Sequence, residues 1–559
     1  MVTTTPATLP GSIEELRALV HLQQVQLTKR EEQLVQREEE IAKHEQKVTE
    51  YSEEIAQLRE YVRLLKSQKF GPRSERSHSS QLGLFNEAEA ELDEDDAETS
   101  IDDDGEEKPG SVDIPAHSRK RRGGRKPLPE HLPRKEIVHD LEEHEKVCAN
   151  DPEHHLSRIG EEKSERLVLR PAELHVEVHI RPKYACGSCK DGVKSKPVPP
   201  SPIPKSMASP SVLAQIVTSK FVDGMPLNRQ EKMFARIGID LPRSTMASWM
   251  MRCAELGEPL TDLILERIRR GDHVLADETT FQVLKEEGKT AQSKSQLWAL
   301  RGEDPEHPLL YYEYAPTRGA EVANALLKGF KGFLQTDGYK GYDQFDDHPD
   351  VVHVGCFAHA RRKFDEALRG QGKSKKKPKS KSAPKKRLAE QGLSKINKLY
   401  EIERGYKNAA PEERYELRKK ELAPRLAELR KWIDESKDRV PPKSLTGKAI
   451  DYLDGQWPKL IHVLDDGRLQ LDTNAVERAI RPFAVGRRGW LFADTPRGAT
   501  ASARLYTLVE TAKANGIEPW AYLEKLFTLL PLANSRADYE ALMPWRVELE
   551  PSDHRLAPS

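Results

Sequence analysis

Two short stretches each set a carboxylate against an apolar run. In HVLADETTFQVL, residues 273–284, Val274, Leu275 and Ala276 lead up to Asp277, and Phe281, Val283 and Leu284 follow it. In GFLQTDGYKGYDQF, residues 332–345, Asp337 ends a second apolar run and Gly338 comes directly after it. A carboxylate in such company costs several kcal/mol unless something shares its charge. Two acids side by side repel, and one binds a proton unless a cation lies between them. Magnesium, or manganese in its place, takes hard oxygen ligands: one or two carboxylates plus waters and phosphate oxygens. A pair of divalent ions about 3.5–4 Å apart assists both the attacking and the leaving oxygen of an in-line displacement at phosphorus. Metal-dependent phosphoryl transfer is the chemistry these residues point to.

That chemistry calls for a third acid on a later helix. The candidate is Glu477 in LDTNAVERAIRPFAVGRRGWLF, residues 471–492. Asp472, Thr473 or Asn474 can cap its helix, and Ala475, Ala479 and Ile480 are available for packing. Arg478, Arg481, Arg487 and Arg488 surround it, placed to meet phosphates. Alone, a glutamate in an arginine-rich helix reads as a surface salt bridge; it gains weight as the third member of a constellation.

The elements between the acids follow an order. Residues 273–284, 295–302 (SQLWALRG) and 308–316 (PLLYYEYAP) read as three consecutive strands of an antiparallel meander. A helix (GAEVANALLKGF), the strand over 332–345 and a strand-to-helix unit over 351–368 (VVHVGCFAHARRKFDEAL) come next. Three strands, helix, strand, helix, strand is the order of a ribonuclease-H-like fold. Its first and fourth strands are central neighbours, which puts Asp277 beside Asp337. In the last unit His359 is read either as a contact to DNA or metal-bound phosphate or as a cap, and Arg361 and Arg362 are phosphate candidates. Cys253 and Cys356 read as buried small apolar residues.

Upstream, Ile13, Val20, Leu27, Leu34, Ile41, Val48, Ile55 and Val62 fall seven apart, an a-position seam with apolar d positions only at its ends. Mostly β-branched a residues favour two parallel strands, so 1–66 is expected to be a coiled coil joining a homodimer or higher oligomer. Residues 67–117 lose all period and read as an acidic linker. In 118–200, Arg121, Arg122, Arg125 and Lys126 form a basic arm suited to a minor groove. The Cys186–Cys189 pair in CGSC is half a zinc site, to be completed by Cys148 with His154, His155 or Asp151. Residues 201–262 are expected to be helical, with a turn at Gly238 and Ser244 capping the last helix. A helix-turn-helix there would turn Arg243, Ser244, Thr245 and Ser248 to DNA and Met246, Trp249 and Met250 inward; a plain helical linker fits the pattern equally.

Composition bounds these readings. A chain of 559 residues exceeds one core. Its 90 basic and 91 acidic residues cancel, but they are segregated. Thirteen of the 21 residues in 87–107 are acidic; six of eight in 119–126 and nine of fifteen in 373–387 are basic. Five cysteines make no disulfide framework, no apolar run reaches membrane-spanning length, and the N-terminus lacks a signal-peptide pattern. A cytoplasmic, nucleoid-associated protein with no membrane partner is expected.

The stretches around Asp277, Asp337, His359 and Glu477 closely resemble the transposases of the bacterial insertion-sequence 66 family. So do FGPRSERS, GRKPLPEHLPR, RPKYACGSC, LPRSTMASW and LYTLVETAKANGIEPWAYL, so that the likeness spans nearly the whole chain. The resemblance implies a DDE transposase with Asp277, Asp337 and Glu477 as its acidic triad. It implies a helical insertion, about 369–465, within a catalytic domain over 263–492, a helical region over 493–559, and small accessory proteins of the same element. The chain departs from the family where CAND offers one cysteine in place of a pair. The fold expected is multidomain α+β: coiled coil, zinc-ribbon-like and helical DNA-binding modules, and a ribonuclease-H-like α/β catalytic domain. The function expected is metal-dependent cleavage at element ends and transfer of the 3′ ends to target DNA. The competing readings are a non-catalytic DNA-binding regulator and another ribonuclease-H-like nuclease, such as a junction resolvase.

Overall fold

The computed structural model describes residues 13–70, 147–148, 151–155, 183–185, 193–195, 200–371 and 387–549. The chain divides into two compact units, Asp96–Val198 and the remainder. In the smaller, β1 (Val147–Cys148) pairs antiparallel with β2 (Asp151–His155), and β3 (Lys183–Ala185) with β4 (Val193–Ser195). Cys148 ends β1 and His154 lies in β2. Cys186 and Cys189, the arm residues Arg121, Arg122, Arg125 and Lys126, and the lysine-rich run up to 386 lie outside the described residues.

The larger unit is built on a five-stranded mixed sheet. Its strands are β5 (His273–Gln282), β6 (Lys294–Gly302), β7 (Leu309–Ala315), β8 (Gly332–Gln335) and β9 (Val351–Val354), in spatial order β7-β6-β5-β8-β9. The meander β5-β6-β7 is antiparallel, while β8 and β9 run parallel to β5. β5 is therefore the central strand, and its apolar start, Val274 to Ala276, is fully buried. The strand read over 332–345 is shorter than expected. It stops at Gln335, and Lys340–Phe345 turns into a 3-10 helix. Tyr339, Tyr342 and Phe345 are strand-favouring residue types, but they fall three apart, the period of a 3-10 helix, and Gly338 and Gly341 favour turning; Tyr342 and Phe345 are buried from that helix.

Three helices precede the sheet: α2 (Pro210–Phe221), α3 (Leu227–Arg236) and α4 (Arg243–Leu256); α5 (Glu258–Arg270) leads into β5. Gly238 does make the turn, at φ +85°. Met246, Trp249 and Met250 are buried and Ser244 is exposed. Ser244 is not the cap. Pro242 takes that position, because its fixed φ suits the residue before the first turn, and α4 has no side-chain cap bond. These helices share one hydrophobic core with the sheet. On the far side of the sheet order, α14 (Pro496–Ala514) shields the edge strand β7. The Thr507 hydroxyl accepts from the Tyr312 N–H at 2.9 Å, and the Thr511 hydroxyl donates to the Leu310 carbonyl at 2.9 Å. Two threonines four apart thus occupy edge groups that would otherwise invite another strand.

After α6 (Ala320–Leu326) and α7 (Phe357–Gln371) comes a second core, formed by α7 with α8 (Leu388–Arg404), α10 (Ala423–Lys437), α11 (Leu445–Gly455) and α12 (Trp457–Leu460), while α9 (Pro411–Leu417) buries no side chain. α1 (Ile13–Phe70) is one continuous helix whose last turns join this core. Leu64 is buried there, and the Glu60 carboxylate accepts from the Leu445 N–H at 3.4 Å. Among the described residues no helix is long and apolar enough to cross a membrane.

Candidate active site

The register of β5 against β8 settles where the first two acids stand. His273 faces Phe333, Val274 faces Leu334 and Leu275 faces Gln335, a constant offset of 60. Carried two residues past the last pair, the same offset sets Asp277 alongside Asp337. The Asp277 Oδ1 accepts from the Glu278 N–H at 2.8 Å, and the Asp337 Oδ1 accepts from the Tyr339 N–H at 2.9 Å, which fixes the turn after β8. Gly338 is required in that turn: a Cβ there would collide with the Tyr452 hydroxyl of α11. The helical insertion therefore backs the loop that carries Asp337.

Glu477 arrives from the other side of the sheet order, in the first turn of α13 (Asn474–Trp490). The buried face of α13, Ala475, Val476, Ala479, Ile480 and Phe483, packs on the sheet, and the Tyr312 hydroxyl donates to the Ala479 carbonyl at 2.6 Å. Thr473 takes the cap position without a side-chain bond, while the Asp472 carboxylate accepts from the Asn474 N–H at 3.0 Å. Glu477 lies 3.7 Å from His359 Nε2 and 3.8 Å from the Arg362 guanidinium, and its Oε1 is buried without a hydrogen-bond partner.

The acids sense one another. Burial pushes Asp277 well above the usual carboxylate range, and the charges of Glu278, Asp337 and Glu477 push it further. Burial also raises Glu477, opposed by Arg362 and reinforced by Asp472 and Asp337. His359 is held down to about 4 by burial and then by Arg362, so its imidazole is neutral near pH 7. Among the described residues no three acidic, histidine or cysteine side chains already form a ready-made metal cage. Magnesium does not need one, since it takes one or two carboxylates and completes its shell with water and phosphate. The hard oxygens of Asp277, Asp337 and Glu477, with an unpartnered buried Oε1 among them, fit such an ion.

Several supporting residues are not visible in the sequence pattern. Glu278 is a fourth acid, neutralised by Arg318 and by the Tyr342 hydroxyl, which donates to it at 2.8 Å. Thr336, just before Asp337, shares a 2.7 Å hydrogen bond with His353 Nε2, and His353 Nδ1 lies 2.6 Å from Asp346. Lys459 closes this chain on Asp343 (2.7 Å) and Asp346 (3.0 Å). A side chain of the helical core thus stiffens the strand end that presents Asp337. Of the candidate DNA contacts, Arg478, Arg481, Arg488, Arg243 and Ser244 are exposed, and Thr245 is half-buried. Arg361 is bound to Asn397 at 2.7 Å and Arg487 to the Thr280 carbonyl and hydroxyl, so both serve first to hold the fold.

A carboxyl whose folded pKa is raised costs nothing below its unfolded pKa; stability falls as pH climbs from that value to the raised one, and the full cost remains above it. Asp277→Asn is therefore expected to stabilise the metal-free protein in mildly alkaline buffer, by on the order of 1 kcal/mol, read by calorimetry. An Asn variant that melts lower would mean that Asp277 is already compensated without metal.

Comparison with known proteins follows the same segments. The model "Transposase IS66 family" matches residues 205–501, which include the sheet and all three acids. "Zinc-finger binding domain of transposase IS66" matches 145–190, "Transposase C of IS166 homeodomain" 57–137, and "IS66 C-terminal element" 507–545. Two relatives from Sinorhizobium fredii (strain NBRC 101917 / NGR234), both named only as uncharacterized proteins, are similar over most of their length. The first, y4jD, is 33% identical over 430 residues, 75% of this chain and 81% of the relative. The second, y4qI, is 35% identical over 400 residues, 69% of this chain and 71% of the relative. With one family model covering more than half of the chain and three others flanking it, the protein belongs to the IS66 transposase family.

Proposed function

We propose that the protein is a DDE transposase that cuts DNA at the ends of an insertion sequence and joins the freed 3′ ends to target DNA. What supports this reading most is that Asp277, on the central strand, feels the charges of Asp337, just after the neighbouring strand, and of Glu477, at a helix start. The strand order β7-β6-β5-β8-β9, with β8 and β9 parallel to β5, supports reading the catalytic domain as ribonuclease-H-like. Bound magnesium or manganese would lower the charge of the scissile phosphate and favour an oxygen nucleophile. Asp277, Asp337 and Glu477 would hold the ions, and Arg362 and the exposed arginines of α13 would orient the phosphate backbone. In the first step water attacks phosphorus and the P–O3′ bond breaks, leaving a 3′-hydroxyl on the element. In the second that hydroxyl attacks a target phosphate, a new P–O3′ bond forms, and the target's 3′ oxygen leaves. Both are in-line displacements, so one site serves both.

Recognition would fall to the other modules. Cys148, Cys186 and Cys189, with His154, His155 or Asp151 as fourth donor, supply ligands suited to structural zinc. The basic arm and the first turn of α4, with Arg243, Ser244 and Thr245, would meet the terminal repeats. α1 presents two faces: Glu60, Tyr61 and Leu64 turn to the catalytic body, whereas Ile55, Leu58, Val62 and Leu65 remain about half exposed. That second face continues the heptad seam and is the surface for a second copy. Leu58→Glu with Val62→Glu is expected to halve the mass measured by sedimentation; an unchanged mass would place the dimer contact elsewhere.

The reading is tested on DNA carrying the element's ends, with and without magnesium. Magnesium-dependent nicks at the ends together with joined products support it. A regulator would bind and leave every strand whole, and a resolvase-type nuclease would cut without joining.

A further inference from the structure

α13 ends in an unusual turn. Leu491 has φ +67° and ψ −54°, and the Phe492 N–H donates to the Trp490 carbonyl at 2.9 Å. This is a γ-turn of the rare, strained sense, centred on a leucine where glycine would be cheaper. The turn is clamped on both sides. The Leu491 N–H donates to the Arg487 carbonyl at 2.7 Å, while the Ala493 N–H donates to the Gln282 carbonyl at 3.0 Å. Next to it the N–H of Leu284 donates to the Ala493 carbonyl at 3.0 Å, and Lys285 pairs with Asp494 at 2.7 Å. Beneath the tip, Trp490 packs edge-on against Phe281 and Phe483. Yet Leu491 is 60% and Phe492 41% exposed. A rigid, strained support that holds two apolar side chains in water asks for a ligand.

The surroundings say which one. Arg478, Arg481, Val485 and Arg488 are exposed at spacings of three, four and three, one face of α13 running from Glu477 to the tip. The Lys220 ammonium lies 5.4 Å from the centre of the Trp490 ring, buried beneath the tip where desolvation lowers its pKa to about 8, so the charge of this surface comes from the arginines. Cations flanking an apolar tip match a polyanion with a stacked interior, which is duplex nucleic acid. From Glu477 to Leu491 the helix rises about 21 Å at ~1.5 Å per residue, roughly six base-pair steps at ~3.4 Å each.

We propose that Leu491 and Phe492 form a wedge that enters the base stack of duplex DNA lying along α13 and opens a step about six base pairs from the bond to be cut. The inference rests on the reading that DNA reaches the three acids along this helix.

The test uses the full chain without divalent metal and two 40-base-pair duplexes, one fully paired and one with a single central mismatch. Opening a mismatched step costs less, so the wild type is expected to bind the mismatched duplex about tenfold more tightly. Leu491→Ser with Phe492→Ser should abolish that preference and keep the salt dependence. Leu491→Gly, which relieves the turn, should weaken the preference while melting no lower than the wild type, so that lost preference is not mistaken for lost folding. Arg481→Gln with Arg488→Gln should weaken binding to both duplexes alike and flatten the salt slope by about 2. Equal affinity of the wild type for the two duplexes, or a preference that survives the double serine change, overturns the wedge and leaves the DNA track standing. Binding unaffected by salt and by the arginine changes overturns the track itself. A change in sedimentation caused by the serine substitutions without DNA would assign the tip to a protein contact and also overturn the wedge.

Discussion

Asp277→Asn, Asp337→Asn and Glu477→Gln are each expected to lower DNA strand cleavage and joining by at least about 10³-fold, with binding to end DNA nearly unchanged. Each substitution keeps shape and removes the anionic oxygen that a divalent ion needs. Loss of metal-borne charge stabilisation is worth several kcal/mol at the transition state, and about 1.4 kcal/mol is a factor of ten. Binding survives because affinity for duplex DNA comes from phosphate contacts by basic side chains. The three changes should not add: once one acid is gone the site no longer assembles, and a double variant falls little below a single one. Near-normal cleavage by any of the three, measured on an end-labelled duplex, would remove that residue from the triad.

The second large effect lies away from the acids. Arg418→Met is expected to destabilise the helical insertion by about 3–5 kcal/mol, the usual cost of breaking a buried ion pair from one side. Arg418 is completely buried. Its guanidinium pairs with Glu403 of α8 and donates to the carbonyls of Val463 (3.0 Å), Asp466 (2.9 Å) and Leu469 (2.6 Å). Those carbonyls belong to the segment that enters the helix of Glu477, so the same arginine ties the insertion to the approach of the third acid. Methionine fills the volume but leaves Glu403 and the carbonyls of Val463 and Leu469 unmet, and leaves Asp466 only its 3.3 Å bond from the Leu469 N–H. Hydrogen exchange should show residues 461–472 opening first. Protection equal to the wild type in that segment would show that the arginine is dispensable.

The order of the five strands was legible because each carries its own apolar pattern, and that order makes β5 and β8 neighbours, whereas the link between β8 and β9 is a 3-10 helix in a stretch that reads as strand. The helical turn at Gly238 and the inward Met246, Trp249 and Met250 followed from local period in the same way. What escaped are partners chosen by tertiary contact. Nothing near Asp337 in sequence announces Lys459, which acts through Asp346, His353 and Thr336. Nor does anything near Glu278 announce Arg318, forty residues away. Tyr452 reaches the Asp337 turn from the insertion, a segment read only as helical and basic. Residue type also misled: the aromatics after Gly338 favour strands although their spacing of three is that of a 3-10 helix, and Ser244 suggests a cap two residues beyond the proline that takes that place.

The central claim is that three acids far apart in the chain converge on divalent metal. It is tested most directly by titrating Mn²⁺ into the full-length protein bound to end DNA and counting tightly held ions by electron paramagnetic resonance. The wild type should hold Mn²⁺ that magnesium displaces, and the combined Asp277→Asn, Asp337→Asn, Glu477→Gln variant should hold none at that site while still carrying its DNA. The same number of ions, bound equally tightly by both proteins, would contradict the claim.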